Sequence, residues 1–99
     1  MNLSVSEIKK LLKNWYFYKA FSLSSQDGGV LAKQINAVER AINALEECDA
    51  VIVKMKYFER TEMEILTAHF FISRQAIYKR LETILKRISF CIAKGGQNG

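Results

Sequence analysis

The chain has 99 residues, enough for one small domain with a modest core. Apolar side chains make up 49% of it and proline is absent, which argues for an ordered globular protein over a disordered one and favours helices. The net charge is +5, no run nears the ~18 apolar residues of a membrane span, and Met1 to Leu12 is too charged for a secretory leader, so the cytoplasm is the expected compartment.

The first predicted element is a helix from Val5 or Ser6 to about Phe21. Ser4 and Glu7 stand three apart, as a capping box requires. Ile8, Leu11, Leu12, Trp15 and Tyr18 then recur at helical spacing, and Phe17 and Phe21 widen that apolar side. Lys9, Lys10, Lys13 and Lys19 occupy the other face. Such a helix can lie on a membrane surface, but packing against a neighbouring helix is the commoner use of its stripe. Ser22 to Gly29 (SLSSQDGG) reads as a linker, because Ser, Asp and paired Gly break helices. It would make the first helix a movable arm.

From Val30 a second helix places Leu31, Ile35, Val38, Ile42 and Leu45 at alternating steps of four and three, two heptads of an a/d seam. The seam suits either a homodimer through residues 31–45 or cover by the first helix within one chain. A break is predicted near Asn43 to Leu45, where Glu46, Glu47 and Asp49 suit a new N-terminal turn. The helix that follows, to Phe58, would bury Val51, Ile52, Met55 and Phe58. Cys48 and Cys91 lack metal-ligand spacing and read as small buried fillers.

Thr61 to Ile88 organises the rest. Thr61 is expected to cap a short helix with Met63, Leu66 and Thr67 inward and Phe70 closing it. Ser73 then caps a second helix, through a hydroxyl that accepts from an N–H two or three residues on. That helix buries Ile77, Leu81, Ile84, Leu85 and Ile88 and runs to about Ala93. Between its buried positions lie Arg74, Gln75, Tyr78, Lys79 and Arg80, the layout of a helix-turn-helix that offers its first turns to a major groove. At the corner, where Gly commonly takes a left-handed conformation, stands Phe71. A bulky residue is costly there, so the turn is expected either to be longer or differently shaped, or to keep Phe71 in an ordinary region and pack it.

Residues LEECDAVIVKMKYFERTEMEILTAHFFISRQAIYKRLETILKRI resemble the fourth conserved region of bacterial sigma factors. The marks are an apolar helix ending in Tyr57-Phe58, a short charged link, and Ile72-Ser73-Arg74 opening the recognition helix. Small phage late-transcription regulators of the ArpU and RinA kind and the YlxM family use the same module. The run Ser73 to Tyr78 is especially similar to YlxM. The likeness covers roughly the second half of the chain and extends more loosely to Lys13-Asn14-Trp15-Tyr16. It implies a regulator of phage or prophage type that binds upstream DNA, with RNA polymerase as a further partner. The chain has no room for the promoter-melting domain of a complete sigma factor.

Charge placement points the same way. Residues 1–50 carry six basic and six acidic side chains, and residues 51–99 carry nine and four, so the whole excess lies on the half with the helix-turn-helix. A solvated charged surface is the plainer reading of the same numbers. Arg74, Gln75, Tyr78 and Lys79 are the predicted base readers, since Arg pairs with guanine and Gln with adenine, and Ala76 suits a thymine methyl. Thr61, Ser73, Arg80, Lys86 and Arg87 are the predicted phosphate contacts.

His69 has no ligand partners and reads as a surface or partly packed histidine. Glu59, Glu62 and Glu64 stand at helical distances from Lys54, Lys56 and Arg60, as solvated pairs do. No phosphate-cradling Gly loop, nucleophile with a His partner or paired metal motif occurs, so neither an enzyme nor a cofactor or metal site is expected. The sequence thus predicts an all-α protein of four or five helices. It would comprise an N-terminal segment (1–45) for packing or dimerisation, a helix-turn-helix domain (46–94) and a disordered tail (95–99). The expected function is sequence-specific binding of double-stranded DNA in transcription regulation. The alternative is a module of the same fold that binds RNA polymerase or another regulator without reading DNA.

Overall fold

The computed structural model describes residues 1–24 and 29–95. Among them are α1 (Val5–Lys13), α2 (Trp15–Ser24), α3 (Gly29–Asn43), α4 (Glu47–Val53), α5 (Met63–Phe70) and α6 (Arg74–Gly95), with no strand. The π-helical turn Lys54–Phe58 continues α4. The all-α expectation holds, but the helices number six rather than four or five. None of them is long and apolar enough to cross a membrane.

The extra helix comes from a break at Asn14. Ser4 starts α1 as predicted: its Oγ accepts from the Glu7 N–H at 3.1 Å, and the Ser4 N–H donates back to Glu7 Oε1 at 3.2 Å. At Asn14 the backbone leaves the helical region (φ −126°, ψ 39°), and the Asn14 carbonyl then accepts from the Tyr18 N–H at 3.0 Å to start α2. Ile8, Leu11, Leu12 and Trp15 are buried, as their spacing requires, but Phe17 and Phe21 face out. The turn in direction removes those two from the stripe they were expected to widen. Of the predicted linker, Ser22–Ser24 belong to α2 and Gly29 opens α3, while residues 25–28 lie outside the described residues. The predicted tail begins at Gly95, which closes α6, and residues 96–99 also lie outside.

Rather than standing off as an arm, α1 packs on α6 and on the π-helical turn, and the Ser89 hydroxyl donates to the Leu3 carbonyl. Helix α3 packs on α2 and α6. This consumes the heptad seam: Ile35, Val38 and Ile42 are buried in the chain's own core, with Leu31 and Leu45 half-buried. The surface through which residues 31–45 would dimerise is therefore already filled. One continuous cluster, from Leu3 to Ile92, unites the segment before residue 45 with the segment after it.

The predicted break after Asn43 is present, and Glu47 and Asp49 lie in the first turn of α4. The π-helical turn then shifts the inward face. The Glu59 N–H reaches back five residues to the Lys54 carbonyl (2.9 Å), and the Thr61 N–H reaches back six to Met55 (2.8 Å). Ile52, Val53 and Tyr57 become the buried side chains, with Val51, Met55 and Phe58 only half-buried. Trp15 stacks on Phe58 with centroids 5.0 Å apart, tying α2 to this turn.

Candidate nucleic-acid interface

Helix α6 is the axis of the molecule: it touches α1, α3, α4 and α5. Its predicted inner face is observed in full, since Ile77, Leu81, Ile84, Leu85 and Ile88 are buried and Ile92 extends the row. Ser73 caps it as expected, its Oγ accepting from the Ala76 N–H at 3.1 Å. Helix α5 meets α6 across residues 71–73, with Leu66 fully buried and Met63, Thr67 and Phe70 half-buried beside it. Glu62, not Thr61, precedes α5, and it makes no side-chain cap. The Thr61 N–H donates to the Met55 carbonyl, so Thr61 closes the π-helical turn and does not open α5.

At the corner both expectations for Phe71 fail. Phe71 itself takes the left-handed conformation (φ 57°, ψ 38°) and is 90% exposed, neither packed nor replaced by a longer turn. A residue with a Cβ in that region is strained by about 1–2 kcal/mol. The geometry closes the turn in three residues all the same.

Arg74, Gln75, Tyr78 and Lys79 are all exposed at the start of α6. Among the described residues none of the four side chains takes an ion-pair or hydrogen-bond partner. Gln75 and Lys79 point most directly away from the buried row. Arg74 and Tyr78 stand seven residues before the buried Leu81 and Leu85, on the same side of the helix as that row, and Arg80 lies on the other flank, as the 3.6-residue period dictates. The first turn of α6 holds no acidic residue and does hold Arg74, against the sign that the helix dipole favours there.

The predicted phosphate contacts divide. Arg80 and Arg87 are held by Asp49 of α4: Arg80 Nε donates to Oδ1 and Arg87 Nη1 to Oδ2, each at 3.2 Å. Asp49 is buried, whereas both arginines keep part of their guanidinium surface in solvent. Lys86 is exposed and only loosely paired, 3.8 Å from Glu82. Ser73 is exposed with its hydroxyl engaged in the cap.

Thr61 lines an open cleft of about 860 Å³ between α1, the π-helical turn and α6. The cleft also gathers Lys9, Lys13, Lys56 and Arg60, with Tyr78 and Glu82 on the α6 side. Arg60 is the second left-handed residue outside glycine (φ 54°), and its Nη2 donates to the Lys13 carbonyl at 2.9 Å, satisfying an orphan acceptor at the end of α1. The sequence shows the lysine face of α1 but assigns it no place in the DNA-binding surface. Only the packing of α1 on α6 sets it beside Tyr78. Burial raises the Tyr57 phenol above its ordinary 10.0.

Cys48 and Cys91 are exposed, not buried fillers, because each falls on the outward side of its helix. His69 is exposed and lies edge-on to Phe70. Among the described residues no group of three His, Cys, Asp or Glu side chains stands close enough to hold a metal ion. Comparison of the chain with protein families, characterised proteins and solved structures finds no match.

Proposed function

We propose that this chain is a sequence-specific DNA-binding regulator of transcription, with the first turns of α6 entering the major groove. One observation carries the reading: Arg74, Gln75, Tyr78 and Lys79 are exposed and unpartnered on the first two turns of a helix whose row from Ile77 to Ile92 is anchored in the core. Base-edge recognition needs donors and acceptors held on a rigid element and left free of intramolecular partners. Arg74 and Gln75 read purines, and Lys79 and Lys86 supply charge. Regulation of phage or prophage type, with RNA polymerase as a second partner, is what the likeness to sigma region four and to the small phage regulators implies.

A module that binds protein without reading DNA is favoured by a different observation. Tyr16, Phe17, Phe21, Ile65 and Phe71 are large apolar side chains left in solvent, more than a purely polyanion-binding surface requires. Titration of the protein with duplex DNA over a range of salt separates the two. On the DNA reading, log affinity falls linearly with log salt, by ~0.9 per phosphate neutralised. A protein-binding module shows no saturable duplex binding at any salt, and that outcome overturns the proposal.

A further inference from the structure

We infer that the cleft between α1 and α6 is a phosphate-binding arm of the same interface, taking the DNA strand that borders the groove which α6 enters; this rests on the DNA-binding reading above. Four cations converge there from three separate pieces of chain: Lys9 and Lys13 from α1, Lys56 from the π-helical turn, and Arg60 from the link to α5. Among the described residues the only carboxylate on the cleft wall is Glu82, which is turned to Lys86. Like charges gathered in one concavity repel one another and favour an anionic occupant.

Arg60 is positioned by more than chance exposure. Its left-handed backbone and its bond to the Lys13 carbonyl fix the guanidinium at the end of α1, and a guanidinium has further N–H donors to offer. Asn14, Thr61 and Tyr78 add neutral polar groups along the same walls.

The occupant is a duplex backbone rather than a small phosphorylated molecule for two reasons. The cleft is open and far larger than one phosphate needs, and Tyr78 belongs both to its wall and to the exposed strip of α6. A strand lying against Tyr78 passes from base edges to the lysines of α1 without a gap. The segment before residue 45 thereby becomes part of the DNA-binding surface, and not only a scaffold for it.

The test compares salt slopes. Lys9 and Lys13 are exposed, so Lys9→Gln/Lys13→Gln leaves the core intact, and a melting curve verifies this. The control is Lys33→Gln/Lys94→Gln, which removes the same charge from α3 and the far end of α6. On a duplex that the natural chain binds, Lys9→Gln/Lys13→Gln flattens the log–log salt slope by about 2 and leaves the preferred sequence unchanged. Between ~50 and ~200 mM salt it therefore loses about tenfold less affinity than the natural chain. The control leaves the slope unchanged. Glu82→Gln tightens duplex binding at low salt, a gain that misfolding cannot produce.

A natural slope in Lys9→Gln/Lys13→Gln, or equal flattening in the control, overturns the cleft while the regulator stands. Failure of Glu82→Gln to tighten binding counts against the cleft in the same way. Absence of duplex binding by the natural chain overturns both.

Discussion

Phe71 holds a left-handed backbone with nothing packed on its ring. Phe71→Gly relieves strain of about 1–2 kcal/mol and returns part of it as the greater entropy of an unfolded glycine, about 0.5–1 kcal/mol. The net expectation is a stabilisation of about 0.5–1 kcal/mol, read as a higher denaturant midpoint at constant m-value. Phe71→Ala keeps the strain and leaves the midpoint nearly unmoved. Asp49 is the opposite case, a buried carboxylate whose partners stand 31 and 38 residues away along the chain. Asp49→Asn removes the charge from two charge-assisted bonds to half-exposed arginines and is expected to lower stability by about 1–2 kcal/mol in a denaturant titration. Tyr57 sets an alkaline limit. Its folded pKa lies above the unfolded value of 10.0, so its contribution is complete below that pH and is lost as pH rises past it. Melting temperature should fall more steeply above pH 10.0 in the natural chain than in Tyr57→Phe. None of these features was legible in advance. Nothing local distinguishes Asp49 from its acidic neighbours in the first turn of α4, and the residue type argues against Phe71 adopting the conformation it has.

At the scale of elements, the sequence is most informative where one period runs unbroken. Ile77, Leu81, Ile84, Leu85 and Ile88 follow the helical period over about three turns of α6, and all five are buried. The outward placing of Gln75 and Lys79 is legible with them, whereas the exposure of Arg74 and Tyr78, seven residues before Leu81 and Leu85, is not. The pattern misleads where the backbone changes its period. A π-helical turn advances more than four residues per turn, so a 3.6-residue template chose Phe58 where Tyr57 lies inside. The break at Asn14 has no signal in the sequence, because Trp15 and Tyr18 still fit the stripe of α1, and no proline or glycine marks the bend. The strip and the phosphate contacts should separate on substitution. Lys86→Ala is expected to weaken all duplexes alike and flatten the salt slope by about 1, checked by anisotropy titrations on preferred and scrambled sequences.

At the scale of the whole molecule, the described residues share one hydrophobic cluster. Charge arithmetic by halves gave a neutral first half and a basic second half, and so missed that α1 brings Lys9 and Lys13 against α6 to complete a basic cleft. The division at residue 45 has no counterpart in the core, where a single cluster joins Ile8, Leu12, Ile35 and Val38 to Ile84, Leu85 and Ile88. A fragment of residues 46–99 leaves the faces of α6 that meet α1 and α3 uncovered, and it is expected to lack cooperative unfolding by circular dichroism. The intact chain should melt in one transition.

Selection of bound fragments from random duplex DNA, run in parallel for the natural chain and for Arg74→Ala/Gln75→Ala, addresses base reading by α6 most directly. The natural chain should enrich a defined motif. The variant should lose preference at the positions those two side chains read, by ~1–3 kcal/mol per lost bidentate pair, while still holding duplex DNA through its remaining cations. Enrichment of no motif, or of the same motif with equal preference by both proteins, would contradict the account.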